Sequence, residues 1–326
     1  MSSDGLRLIV PYSDIAMYDP VDSSFQVWNL ETDTFIEVNF IGERNPIFPY
    51  FSPTGHLFAV RTSDRLSVFD GDTGIEISYW EGRFGSMVWF NSSGHLMAFV
   101  DITNFTERFL VIWDVEHQQE IKRIPIGDSN VSDLSFSPDG MYVAYLASHD
   151  LFKCGIVNNE IGDCVTHFHS DDPIFLFMMI TTNSRKIFLD AVRQIVILDA
   201  VDAEPLEMVD VFPQYAYMIY LQQIGDVIAV LLNDQPVLLN VLSRETVPIV
   251  NEYSLFNPDL SMYVLSSGDD PYAVESNIEL YSTESNVLLA EFTVTNLAGI
   301  YFSPNDDYIL AEKTTGEIEF WGVPAN

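Results

Sequence analysis

Apolar residues in this chain gather in short runs rich in Val, Ile, Phe and Tyr, such as "MYVAYLA", "FLVIWDV" and "EIKRIPI", with Gly, Pro, Asn, Asp and Ser between them. No stretch keeps the period of an amphipathic helix, so the pattern predicts strands throughout. One phrase recurs. "FSPDGMYVAYLAS", Phe136 to Ser148, comes back as "FSPTGHLFAV" from Phe51, "FNSSGHLMAFV" from Phe90, "FNPDLSMYVLSS" from Phe256 and "FSPNDDYILAEK" from Phe302. A second series of marks closes an alternating strand at Trp28-Asn29, Phe69-Asp70, Trp113-Asp114, Val157-Asn158, Leu198-Asp199, Leu239-Asn240, Tyr281-Ser282 and Trp321-Gly322, at intervals of 41, 44, 44, 41, 41, 42 and 40 residues.

Each unit therefore reads as four short strands: one ending at the Phe-Ser-Pro turn, two more, a turn, and a fourth. A four-stranded antiparallel sheet cannot bury both faces alone, and a period near forty points to radial stacking. The prediction is all-β: a single β-propeller domain over residues 1–326, built of eight repeats of a four-stranded antiparallel blade. Seven blades plus an extra hairpin is the alternative count, because the chain stops at "FWGVPAN" with no fourth strand after Trp321. "LRLIV" or "DIAMYD" near the N-terminus would then supply a closing strand. The recurring Ser, Pro, Asp and Gly are turn residues in this reading and not catalytic groups.

At "QVWNLETD", "SVFDGDTG" and "LVIWDVEHQQEI" the chain resembles the WD40 repeat family, whose third strand ends in Trp-Asp and is followed by a turn like Asp72-Thr73-Gly74. The Phe-Ser-Pro-Asp-Gly turn is also similar to that of TolB-like propeller repeats. The resemblance spans the chain and implies an interaction scaffold. It departs from the WD40 pattern in lacking the Gly-His pair before each repeat, and only Trp28, Trp113 and Trp321 hold the Trp position.

Composition changes the picture in one respect. Hydrophobic residues make up 48% of the chain, enough for a large core, yet 48 acidic residues face 14 basic ones for a net charge of -34. Such a field repels polyanions and other copies of the chain, so nucleic acid is not an expected partner and a monomer is expected. The seven-residue run "IFLFMMI" is too short to span a bilayer, and no membrane insertion is expected. "MSSDGLRLIV" has no leader pattern, which reads as cytoplasmic unless a leader precedes it. The two cysteines, Cys154 and Cys164, lie five residues either side of Asn159 and would face each other across a hairpin. They form either a disulfide, which places the chain outside the cytoplasm, or two buried thiols.

Candidate chemistry is sparse. No nucleophile elbow, phosphate loop or zinc-protease motif is present, and no cofactor is expected. His149, His167 and His169 fall on connections of one face and form a weak candidate metal set. Arg44, Arg61, Arg65, Arg83 and Arg108, half of the ten arginines, lie on same-face connections of the first three units. Arginine suits carboxylate forks and interface anchors, so these five are the candidate contacts for a protein or peptide partner. The expected function is a non-catalytic interaction scaffold. The alternative is a propeller that binds or hydrolyses a small ligand at a central channel, with or without a metal.

Overall fold

A computed structural model describes residues 7–11, 24–29, 32, 34–39, 49–62, 64–104, 107–127, 130–158, 160–169, 175–191, 194–201, 205–210, 223–224, 227–232, 235–240, 243, 245–248, 255–257, 261–266, 275–303, 308–315 and 317–323. Among them the regular structure is all strand, arranged in eight antiparallel sheets. The first sheet holds β1 (Arg7–Pro11), β2 (Ser24–Asn29) and β3 (Thr34–Asn39). The second holds β4 (Pro49–Phe51), β5 (Leu57–Arg61), β6 (Arg65–Asp70) and β7 (Glu76–Glu81). The third holds β8 (Phe84–Phe90), β9 (Leu96–Asn104), β10 (Glu107–Asp114) and β11 (Gln119–Gly127), and the fourth β12 (Val131–Phe136), β13 (Tyr142–Ala147), β14 (Asp150–Val157) and β15 (Glu160–His169). In the fifth are β16 (Phe175–Ile180), β17 (Lys186–Ala191), β18 (Gln194–Asp199) and β19 (Pro205–Asp210). The sixth comprises β20 (Gln223–Ile224), β21 (Val227–Leu232), β22 (Gln235–Asn240) and β23 (Thr246–Pro248). The seventh comprises β24 (Leu255–Phe256), β25 (Met262–Ser266), β26 (Glu275–Ser282) and β27 (Leu288–Thr295), and the eighth β28 (Leu297–Phe302), β29 (Tyr308–Lys313) and β30 (Ile318–Gly322).

The four-strand reading of each unit holds where all four strands are described, and the marks from Phe69-Asp70 to Trp321-Gly322 fall at the end of the third strand of their sheets or within a residue of it, while Trp28-Asn29 ends β2, the second of three described strands. β1, which contains most of "LRLIV", pairs with β2 from Arg7↔Asn29 to Pro11↔Phe25 and so belongs to the first sheet. It has its own sheet rather than the separate closing role expected of it. "DIAMYD" lies outside the described residues. Two compact units divide the chain, Met1–Val209 and Asp210–Asn326.

The recurring turn earns its sequence. Six first-to-second-strand turns use one bond pattern: the side-chain oxygen of Ser52, Asn91, Ser137, Thr181, Asn257 or Ser303 accepts the amide five residues on, at 3.2, 3.0, 3.0, 3.0, 2.8 and 2.9 Å. The backbone amides of the same six residues donate to the carbonyls of those partners. Gly55, Gly94 and Gly140, three residues into their turns, have φ of 74°, 77° and 72°, the left-handed region that glycine enters without cost.

Alternation along each strand then supplies a core on both faces. In the first unit, Phe58, Val60 and Phe69 of the second sheet pack with Phe25, Val27 and Val38 of the first. From the other face, Ala59, Leu66 and Val68 meet Val88, Met97, Phe99 and Val111 of the third sheet. The third and fourth sheets join through Ala98, Leu110, Ile112, Leu134, Val143 and Tyr145. Tyr142, Ala144, Leu146 and Leu151 carry the contact on to Met178, Ile187 and Val196 of the fifth. In the second unit the sixth and seventh sheets meet at Leu238, Phe256 and Tyr263, and the seventh and eighth at Val264, Ile278, Leu280, Ile309 and Ala311. Val, Ile, Leu and Phe on both faces of the inner strands drive neighbouring sheets to pack face to face.

Candidate functional site

The second and third strands of the second sheet place two arginines a turn apart and then send them opposite ways. Arg61 ends β5 and Arg65 begins β6, with Thr62 and Asp64 in the turn between them. Arg61 pairs across strands with Leu66, and both side chains project on the face that meets the third sheet. Arg65 pairs with Glu81 and lies on the other face, level with Ser67.

Arg65 is fully engaged there. Its guanidinium sits 2.6 Å from Glu76, 3.9 Å from Glu81 and 3.0 Å from Ser67 Oγ, and it lies 3.9 Å from the centroid of the Tyr79 ring. Arg61 has none of this. Its residue is 8% exposed, its Nη1 donates to the Phe84 carbonyl at 3.1 Å, and its Nε is buried with no partner. Burial draws the guanidinium below its ordinary pKa, opposed by the neighbouring Tyr50 hydroxyl, whose own pKa burial pushes up.

The other candidate arginines occupy the same edge of the sheets. Arg83 is exposed on the connection between β7 and β8, and its carbonyl accepts the Ile102 amide at 2.7 Å. Arg108, at the start of β10, donates to Asn130 Oδ1 ahead of the fourth sheet. Arg44 lies outside the described residues. The structure thus brings Arg61 and Arg83 to one junction, through Phe84, and turns Arg65 and Arg108 to other neighbours.

The histidines diverge as well. His169 Nδ1 lies 2.7 Å from Asp150 Oδ1, its cross-strand partner, whereas His167 donates from Nε2 to the Asp199 carbonyl of the fifth sheet at 3.1 Å. Burial lowers the His167 pKa, against the pull of its bond to the Asp199 carbonyl. His149 stands in the turn between β13 and β14 with Nδ1 buried and unbonded. Among the described residues no group of three His, Cys, Asp or Glu is placed to hold a metal ion, so the three imidazoles do not share one ligand set there. Cys154 and Cys164 are cross-strand partners on β14 and β15 and form a disulfide, with Cα atoms 4.2 Å apart.

One carboxylate escaped the sequence reading. Asp133 on β12 accepts from the Leu134 amide at 2.8 Å and Trp89 Nε1 at 3.3 Å through Oδ1, and from the Met178 amide at 2.8 Å through Oδ2. It therefore ties the first strands of the third, fourth and fifth sheets together. Burial raises its pKa, against the pull of those three donors. The available signal was position: counted from the turn, Asp133 stands level with Met87 and Phe177, and a lone acid in an apolar column needs partners.

Comparison with known proteins fits this architecture. The chain is similar to the structure titled "Crystal structure of the eukaryotic initiation factor", with 12% identity, a TM-score of 0.67, and coverage of 98% of this chain and 95% of that one. The β-propeller domain of Cps50 (Swd1) from Myceliophteria thermophila gives 13% identity, a TM-score of 0.53, and coverage of 99% and 95%. Hydrazine synthase of Kuenenia stuttgartiensis gives 11% identity, a TM-score of 0.55, and coverage of 86% and 96%. No family model and no curated protein sequence matches. The likeness is one of fold: the chain is a WD40-like β-propeller in architecture. At these identities it says nothing of chemistry, and a factor and an enzyme share it.

Proposed function

We propose that this chain is a non-catalytic interaction module of the WD40-like kind. It is a single propeller domain over residues 1–326, with one blade to each of its eight sheets. It holds a protein or peptide partner on the connections that bear Arg61, Arg65, Arg83 and Arg108, and Arg44, outside the described residues, belongs to the same expected set. The observation that carries this reading is the gathering of cations at one edge of the second and third sheets in a chain whose net charge is -34. On an acidic surface such cations offer a place for an acidic or aromatic-rich peptide, and like-charge repulsion discourages binding where acids dominate. The repeated turns support it from the other side: their Ser and Thr hydroxyls are bonded into the turns and are not free nucleophiles. The same charge opposes a nucleic-acid partner and favours a monomer.

The test uses the full chain as bait. Protein recovered from native lysate and identified by mass spectrometry is compared between the wild type and an Arg83→Glu/Arg108→Glu variant. A partner lost by the folded variant supports this face, and equal recovery removes it. The fold is also that of an enzyme, hydrazine synthase. A stoichiometric ion in protein purified without chelator would favour the small-ligand reading over the scaffold.

A further inference from the structure

We propose that the turns of the fourth and fifth sheets form a docking surface for a basic peptide segment of another protein, one that carries aliphatic side chains between its cations. Arg65 and Arg108 stand at the start of their third strands, whereas this surface lies where third strands end. The inference therefore goes beyond the interaction-module reading and does not depend on its site.

One backbone bond marks equivalent places in five sheets. At or just past the end of the third strand, an amide donates to the carbonyl of the residue ahead of the second strand. Gly71 donates to His56, Val115 to His95, Ile156 to Met141, Ala200 to Arg185 and Thr283 to Ser261, at 2.6, 2.9, 2.7, 2.9 and 2.8 Å. The residue after each donor is Asp72, Glu116, Val157, Val201 and Glu284. In the second and third sheets the two places hold a histidine and an acid in contact, with His56 Nδ1 3.3 Å from Asp72 and His95 Nδ1 3.5 Å from Glu116. In the fourth sheet the same two places hold Met141 and Val157. They are 59% and 65% exposed, and Val201 of the fifth sheet is 77% exposed.

Turn positions that are acidic in three sheets are thus apolar in two neighbouring ones, and the side chains lie in water. Packing does not call for them there, since none of the three joins the buried clusters on either side of the fourth sheet. The two turns are tied together: the Asp139 amide donates to Ser184 Oγ at 3.0 Å and the Tyr142 hydroxyl to the Ser184 carbonyl at 3.1 Å. A Cβ built on Gly140 or Gly155, each next in the chain to one of the bonded residues, would meet no described atom within 4 Å. Among the described residues nothing covers the strip at those points.

Carboxylates rim it. Asp139 accepts the Met141 amide at 3.0 Å, Glu160 stands opposite Val157, and Asp199 accepts the Val201 amide at 2.7 Å. Against them stand Arg185 and Lys153, the latter with its ammonium given to the Ala200 carbonyl. With a net charge of -34 behind this rim, a cationic segment is drawn in and its aliphatic side chains can cover the exposed ones. A second copy of the chain carries the same charge and is repelled.

The probe is a fluorescein-labelled heptapeptide of alternating lysine and leucine, followed by anisotropy against the full chain. One control peptide replaces each lysine by glutamate and another each leucine by serine. Both should bind at least about tenfold more weakly than the lysine-leucine peptide. Met141→His/Val157→Asp installs the pair that the second sheet carries at these places, so the fold should be kept. Its affinity for the lysine-leucine peptide should fall at least about tenfold, although the added acid would raise any binding through charge alone. Val201→Glu changes one exposed turn residue, and should weaken binding in the same direction even if the double variant does not fold. Arg83→Glu/Arg108→Glu should bind the peptide at least as tightly as the wild type. Weaker binding by that variant would put the peptide on the arginine connections and overturn the proposal. Unchanged affinity in the turn variants, equal binding of either control peptide, or no binding of the lysine-leucine peptide also overturns it. So does a dimer, seen by sedimentation, that the turn variants abolish, because a second copy would then be the occupant. Peptide binding at these turns with lysate capture unaffected by the arginine variant would refute the arginine site alone.

Discussion

Two sheet-to-sheet junctions in the first unit share a backbone plan and differ at one side chain. Where the fourth sheet meets the fifth, Leu146 is 0% exposed and packs among Ala144, Leu151 and Met178. Where the second meets the third, the matching residue is Arg61, buried with an unbonded Nε. Each junction has an alanine two residues earlier, Ala144 and Ala59, and each of these is fully buried. The fourth-to-fifth junction is thus built for stability. The second-to-third junction gives some up, because it buries a guanidinium nitrogen that has no hydrogen-bond partner.

Exchanging the two characters should have the largest effect. Leu146→Arg would put an unpaired charge among apolar side chains, a cost of several kcal/mol, and is expected to leave little folded protein. Far-ultraviolet circular dichroism and a urea titration would show it, and a stable Leu146→Arg variant would mean the junctions tolerate charge alike. Next comes Trp113→Ala, which acts on the second-to-third junction away from Arg61. The indole donates to Ser78 Oγ at 3.1 Å across the sheets and meets Trp80 edge-to-face at 4.9 Å. Its loss should cost about 3 kcal/mol, read from the shift in urea midpoint. A matching midpoint would show that this junction holds without its aromatic pair.

Much of this comparison was legible in the sequence, and one part was not. The marks from Phe69-Asp70 to Trp321-Gly322 locate third-strand ends because Trp-Asp and its variants close an alternating strand wherever the next turn needs an acceptor. Asp70 and Asp114 show this directly: their carboxylates accept the amides of Thr73 and His117, both at 2.8 Å. The Phe-Ser-Pro turns were equally readable, since their bonds lie within six residues of chain. What could not be read was the fate of each arginine. Arg61 and Arg65 look alike in "VRTSDRLSVFD", yet the strand register sets them on opposite faces of one sheet. Register depends on which sheet each face meets, a long-range matter that local pattern does not encode. The histidines diverge for a related reason: β15 slips register at His167, which is left without a partner on β14 and reaches the Asp199 carbonyl of the fifth sheet, whereas His169 stays opposite Asp150 in its own sheet.

Smaller effects test the parts common to both junctions. Ser137→Ala removes an acceptor from the Tyr142 amide at a buried turn and should cost about 1 to 2 kcal/mol, measured by chemical denaturation. No loss would mean that the backbone pair alone holds the turn. Asp133 gives a pH signature. Its folded pKa lies above the usual 3.8, so the folded state binds the proton more tightly than the unfolded state. Stability from this group is present at low pH and falls as pH rises from about 4 through the folded pKa. Comparing wild type with Asp133→Asn across that range isolates the slope from that of the other acids, and parallel curves would show that Asp133 does not contribute it.

The most direct measurement concerns Arg61 itself, in the absence of any ligand. Arg61→Met keeps the aliphatic stem and removes the unpaired guanidinium, at the loss of one bond to the Phe84 carbonyl. Its unfolding free energy in chloride buffer free of carboxylates should equal or exceed that of the wild type, because a buried charge without a partner is replaced by an apolar group of similar shape. A variant less stable than the wild type by more than about 1 kcal/mol would show that Arg61 holds the junction together.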